Sequence, residues 1–399
     1  MTRTSRVVVL IGGLSRLEFS LRATALMLAA VSSGGDAVVT ALIGAGAVIP
    51  TVFMSPIVVR VIDRFRITGS VLCGVGINVI LYVTFIVFSN VVDTSWVYCL
   101  YALAFGMARP FIDNAVNILI AETSSADEVE RTNGFLSTVQ SLGGVVGPSL
   151  SGTLFVVSSI APFVAAIAVA FGSLGCACYV FGLSDVSDVN QSQPSIHSSS
   201  LSLLLGNRMV VGLSVAGFLS NVFAGCYAAV VPLYLLNIAH MSPRLYGLNS
   251  SIISVGIVFA NVVFIGIVPH MRSWKIAVFA GMFSGLAMVG ISSSRLSAVL
   301  LACACVYGVG LGGWNSGTSS ALLSSARGPG LHRVATLYRS IVFAGSPLGS
   351  GLGALRGSFS PALGVFVAGV GTCACSLVLR VAGGGVRNEA YSRTPTEVG

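Results

Sequence analysis

Apolar runs of about 20 residues, nearly free of charge and separated by short polar breaks, recur a dozen times along this 399-residue chain. A run of that length crosses the hydrocarbon core of a bilayer as a helix, where lipid offers no water to unpaired backbone groups. Hydrophobic residues make up 55% of the chain and charged residues 9%, far from the roughly 25% charged of soluble domains. The pattern predicts an all-α polytopic membrane protein with spans near 7–31, 37–59, 68–89, 96–121, 133–157, 160–183, 209–235, 245–268, 276–293, 296–323, 334–355 and 361–381, numbered 1 to 12 below. The first run exceeds the apolar core of a signal peptide and lacks an obvious small-residue cleavage site, so it is expected to be retained.

Basic residues set the expected orientation, because cytoplasmic loops retain Lys and Arg. With an even number of spans, one side collects most of them, including Arg60, Arg64, Arg66, Arg131, Arg208, Arg272 and Lys275, and the other only Arg244, Arg295 and Arg356. Both termini are therefore expected in the cytoplasm. The net charge of +8 is this topological signal, so no nucleic-acid partner is expected.

The polar, Ser-rich stretch 184–207 cannot bury enough apolar surface to fold alone and reads as a cytoplasmic linker. It divides the chain into an N-terminal six-helix bundle (1–183) and a C-terminal one (208–382), followed by a cytoplasmic tail (383–399). The halves look alike. Gly147-Pro148 and Gly152 follow Arg131 in span 5, and Ser346-Pro347 and Gly351 follow Arg333 in span 11. Duplicated halves around a central cavity are a transporter plan.

Other chemistries find no support. Cys176/Cys178, Cys303/Cys305 and Cys373/Cys375 lie two apart inside apolar helices and point to nearly opposite sides, so no metal is expected. Gly308, Gly310 and Gly313 match a dinucleotide fingerprint but lie within a span rather than at a strand-to-helix turn. A P-loop needs a lysine before Ser or Thr, whereas the only lysine, Lys275, precedes Ile276. No H-E-x-x-H occurs, and the four histidines fall in or beside loops, so the chain is not expected to be an enzyme and no cofactor is expected.

Span 5 carries Gly134, Gly143, Gly147-Pro148 and Ser151-Gly152. Small residues at this spacing let a neighbouring backbone approach closely, and Pro148 permits a bend. The spacing resembles the antiporter signature of the major facilitator superfamily, G-x8-G-x3-G-P-x2-G-G, with Ser151 departing. Between spans 2 and 3, Arg60, Asp63, Arg64 and Arg66 resemble the superfamily's G-x-x-x-D-R-x-G-R-R, with Val59 and Arg66 in place of its glycines. The run from Gly106 to Glu122 and Glu130-Arg131-Thr132-Asn133-Gly134 resembles its passage from helix 4 to helix 5. The family's helix 4 arginine would fall at Ala102, and Arg109 stands two turns later. The resemblance implies the major facilitator fold of two pseudo-symmetric six-helix bundles, a cavity lined by helices 1, 4, 7 and 10, and gating roles for Asp63, Arg64 and the span 5 glycines.

Charges inside the membrane are expensive and mark function. Span 1 holds Arg16, Glu18 and Arg22, span 4 Arg109 and Asp113, and span 11 Arg339. Glu18 and Arg22, like Arg109 and Asp113, are four apart and share a helix face. The Arg-before-acid order of Arg109 and Asp113 is the poorer one for local pairing, which leaves cross-helix pairing open. An acid beside an arginine takes a proton readily only when a conformational change separates the two. Asp113, with Glu18 second, is therefore expected to couple transport to protons. The cationic excess favours anionic, zwitterionic or neutral polar-aromatic substrates over lipophilic cations. Asn117, Asn221, Tyr227, Tyr307, Trp314 and Asn315, on spans 4, 7 and 10, offer hydrogen-bonding or stacking surface to such a molecule, beside Arg16, Arg22, Arg109 and Arg339. The expected function is export of a small organic molecule, a drug or metabolite, in exchange for protons by a monomer in the plasma membrane, with proton-coupled uptake or facilitation as the alternative.

Overall fold

In a computed structural model the chain is helical wherever it crosses. The structure describes residues 3–88, 95–123, 126–183, 206–267, 271–325, 331–357 and 360–392. Helices run Arg3–Ser32, Ala37–Phe88, Trp96–Thr123, Ala126–Val157, Ala161–Leu183, Arg208–Leu233, Pro243–Ile267, Ser273–Ser293, Ser297–Ser325, Leu331–Gly357 and Pro361–Ser392. A π turn, Tyr234–Ile238, extends span 7. Among the described residues, seven segments satisfy both length and hydropathy for a crossing. Large apolar side chains such as Leu100, Ile80 and Val262 point outward, as expected where the surrounding medium is lipid.

Spans 2 and 3 differ from expectation. Helical hydrogen bonding runs unbroken through Ala37–Phe88, including the predicted loop. The chain nevertheless reverses. At 1.5 Å per residue a straight helix would put Gly46 and Tyr82 about 54 Å apart. Yet a Cβ on Gly46 would meet Ala102 and Leu103, and the Tyr82 ring lies 4.7 Å from that of Phe105. Two antiparallel spans therefore share one helical assignment. Val59 and Arg66, which stand where a tight turn would have glycine, are compatible with helical bonding around the reversal. Asp63 and Arg64 lie on this helix, but their side chains are outside the described residues, as are 184–205 of the expected linker. The last helix continues to Ser392, through part of the expected tail.

The chain divides into two compact units, Met1–Gln191 with Pro232–Ser254, and Ser192–Val231 with Val255–Gly399. Each is held by glycine seams, and the seams repeat. In the first unit, a Cβ on Gly143 would meet the Gly13 carbonyl and the Leu17 amide, and one on Gly147 the next turn, Leu17 to Leu21. In the second, Gly345 and Gly349, each 202 residues further on, meet Phe218 and Val222 in the same way. Spans 1 and 5 thus pack as spans 7 and 11 do. Gly46 and Gly106 seal span 2 to span 4, and Gly256 and Gly312 seal span 8 to span 10. The prolines are spaced 199 residues apart, three fewer than the glycines, so the glycine seam is the truer register of the repeat.

Helix starts are capped by side chains. Asp36 Oδ1 accepts from the amides of Val38 and Val39 at 3.1 and 3.0 Å, and Asn207 Oδ1 from those of Met209 and Val210 at 3.0 and 3.3 Å. These bonds satisfy amides that the first helical turn leaves open.

Candidate functional site

Span 1 places its charges on two faces. Glu18 and Arg22, one turn apart, pair at 3.0 Å with side chains only 4% and 5% exposed. Span 3 completes the cluster. Tyr82 donates its hydroxyl to Glu18 Oε1 at 2.5 Å, and Asn78 donates Nδ2 to Oε2 at 3.3 Å while its Oδ1 accepts from Arg22 at 3.4 Å. From span 4, the Phe105 ring centroid lies 4.1 Å from the Arg22 guanidinium carbon, close enough for a cation–π contact. Each charge here is matched and both carboxylate oxygens are engaged, the condition under which a buried pair is tolerated.

The second face is more exposed. Arg109 Nε donates to Asp113 Oδ2 at 2.9 Å, with side chains 26% and 41% exposed. Local pairing thus forms despite the less favourable sequence order, and among the described residues neither span 1 nor span 4 exchanges ion-pair partners across helices. Half-buried Phe19 separates the two faces. Its ring centroid lies 4.0 Å from the Arg109 guanidinium carbon, 5.3 Å from that of Arg16 and 5.7 Å from that of Arg22. Among the described residues no carboxylate lies within ion-pair distance of Arg16.

Arg16, Arg109 and Asp113 line a cavity of about 260 Å³ together with Ser15, Val116, Asn117, Leu136 and Gln140. Spans 1, 4 and 5 build it. Gly144 on span 5 leaves room for the Arg16 side chain, whose Nε would lie 3.8 Å from a Cβ at that position.

The remaining predicted residues are distributed differently. Tyr227 and Tyr307 come together with ring centroids 5.0 Å apart. Asn221 donates Nδ2 to the Gly217 carbonyl of its own helix. Trp314 is buried in an apolar cluster with Ala277, Ala280 and Leu322, while Asn315 and Arg339 are exposed. Among the described residues no three metal-ligating side chains converge.

The span 5 motif splits into three parts. Gly134 faces open space, Gly143 and Gly147 pack on span 1, and Gly152 meets Pro243 and Gly247 at the start of span 8. Beside that last crossing, Ser149 donates its hydroxyl to Ser251 Oγ at 2.8 Å and its amide at 3.0 Å, and Ser251 donates to the Val145 carbonyl.

Asn78 and Tyr82 were missed by sequence reasoning. The available signal was two hydrogen-bonding residues four apart in an otherwise apolar span, facing an equally spaced Glu18 and Arg22.

The family model of the Major Facilitator Superfamily matches residues 8–354. No curated protein matches the chain. Among solved structures it is similar to a bacterial homologue of the iron transporter ferroportin in an inward-facing state, with 15% identity, 95% of this chain and 98% of that one covered, and a TM-score of 0.76. It is also similar to a nucleoside transporter (14% identity, 96% and 99% covered, TM-score 0.72) and to a POT family transporter in complex with 5-aminolevulinic acid (11% identity, 96% of each covered, TM-score 0.73). At such identities the likeness concerns the fold, the twelve-helix arrangement of two six-helix bundles.

Proposed function

The chain belongs to the major facilitator superfamily and is a multi-pass membrane transporter, and we propose that it moves a small organic molecule by alternating access, using Asp113 to couple that movement to protons. The observation that carries the reading is the Arg109–Asp113 pair, partly exposed in a cavity beside Arg16, for which no carboxylate stands at ion-pair distance among the described residues. A partly exposed carboxylate held by arginine can exchange that partner for a proton as the helices around it move. Glu18 ranks second because Arg22, Tyr82 and Asn78 surround it and both its oxygens are engaged.

The two halves, 1–183 and 208–382, rock about the linker 184–207, and both termini face the cytoplasm of a plasma membrane, as the basic loops suggest. A monomer suffices for this mechanism. On that orientation, the crossing of Gly152 with Gly247 and the Ser149–Ser251 bonds sit toward the outer side. Asp63 and Arg64 would brace the inner side.

The antiporter-like glycine spacing of span 5 supports exchange with protons and hence export of a drug or metabolite. A second reading, uptake with a proton, is favoured by one observation. The cavity has more cationic than anionic side chains, so protonating Asp113 would help it hold an anion. Purified protein in vesicles with an imposed pH gradient, assayed over a panel of radiolabelled compounds, separates the two. Substrate moving toward the acidic compartment supports exchange, movement with the protons supports uptake, and flux indifferent to the gradient removes proton coupling altogether.

A further inference from the structure

The cavity between spans 1, 4 and 5 has an arginine, Arg16, with no carboxylate at ion-pair distance among the described residues, and its remaining lining is chemically selective. Asp113 is already bonded to Arg109, so Arg16 is the cation left to an incoming group. Ser15, Asn117 and Gln140 add neutral hydrogen-bonding groups, while Val116 and Leu136 supply apolar wall. Phe19, in contact with the guanidinium groups of Arg16 and Arg109, holds them at one edge. The volume, about 260 Å³, lies just below the roughly 300–1,000 Å³ of drug-sized sites.

We propose that Arg16 binds the carboxylate of a small organic acid, with Asn117 and Gln140 recognising a hydroxyl or carbonyl at its other end. The inference rests on the transporter reading and narrows its substrate class. A guanidinium presents paired donors that match a carboxylate. Bulky cations are disfavoured, because Arg16 and Arg109 meet them first. The charged groups facing the ligand are Arg16 from span 1 and Arg109 and Asp113 from span 4, whereas span 5 contributes uncharged Gln140 and Leu136. Anion binding and proton binding therefore assist each other. A proton on Asp113 removes the negative charge in the cavity and releases Arg109 to the ligand.

Three probes of one shape and different charge test this in the purified full chain: 4-hydroxybenzoate, 4-hydroxybenzamide and 4-hydroxybenzylamine. Equilibrium binding should rank the carboxylate at least tenfold above the amide and amine, since a charge-assisted hydrogen bond contributes about 1.5–3 kcal/mol, or 10- to 100-fold. Arg16→Gln should abolish that preference, and Arg16→Lys should restore part of it, which separates recognition from misfolding. Asp113→Asn should tighten carboxylate binding several-fold and remove its pH dependence, while Arg295→Gln, at an exposed loop position, should change nothing. Equal binding of the three probes, absence of binding by any of them, or a preference that survives Arg16→Gln overturns the assignment. Vesicle counterflow over the compound panel keeps the two readings distinct. Flux of other compounds without carboxylate binding defeats only the present inference, whereas carboxylate binding without any flux defeats the transporter reading.

Discussion

Replacing Glu18 with glutamine keeps the shape but turns one of its two accepting oxygens into a donor, and leaves Arg22 as an unmatched cation with a side chain 5% exposed. Removing one partner of such a pair costs about 3–5 kcal/mol. Contacts with Arg22 survive: the Asn78 carbonyl oxygen at 3.4 Å, and the rings of Phe105, Phe19 and Tyr82 at 4.1, 5.7 and 6.0 Å, the nearest ring contributing up to about 2 kcal/mol where water is excluded. The expected net loss is therefore about 3 kcal/mol, a change of roughly 150-fold in the folding equilibrium. Titration with sodium dodecyl sulfate in mixed micelles, followed by tryptophan fluorescence, reads this directly. The double variant Glu18→Gln/Arg22→Met removes both charges and should recover at least half of the loss, because a buried pair replaced by apolar packing is often neutral. A loss below 1 kcal/mol for Glu18→Gln, or a double variant as unstable as the single one, would refute the matched-cluster argument.

The glycine seam makes a contrasting pair. Gly349→Ala drives a methyl into the Val222 carbonyl, whereas Gly351 faces open space, so the first should cost about 1–3 kcal/mol and the second should be neutral by the same titration. Ser251→Ala removes the acceptor for both Ser149 donors and the bond to Val145. It should weaken the span 5 to span 8 crossing by about 1 kcal/mol per lost bond, seen as faster hydrogen exchange in 145–152. Unchanged exchange there would remove that crossing's dependence on the serines.

The twelve-helix plan was legible because lipid imposes a length and a polarity on any crossing segment, and no packing detail is needed to read either. The membrane charges were legible too, since each is conspicuous against an apolar background. Their partners were harder to read. Glu18 and Arg22 share a face by spacing alone, but the approach of Asn78 and Tyr82 depends on the register between spans 1 and 3, which is set by contacts distant in sequence. Helix propensity order argued against Arg109 with Asp113, yet in the structure they pair, because few competing carboxylates exist and the Phe19 face holds the guanidinium in place. The repeat was visible in the prolines, but the contacts follow the glycines. Closeness of backbones, rather than the position of a bend, sets the seam.

The central claim is that Asp113 exchanges Arg109 for a proton during the transport cycle, and the response of flux to a pH gradient tests it most directly. Wild-type protein and Asp113→Asn, reconstituted in vesicles, are compared for substrate counterflow without a gradient and for concentrative uptake or efflux with one. The account predicts that Asp113→Asn retains counterflow and loses accumulation driven by the gradient. Undiminished pH-driven accumulation by Asp113→Asn would contradict it.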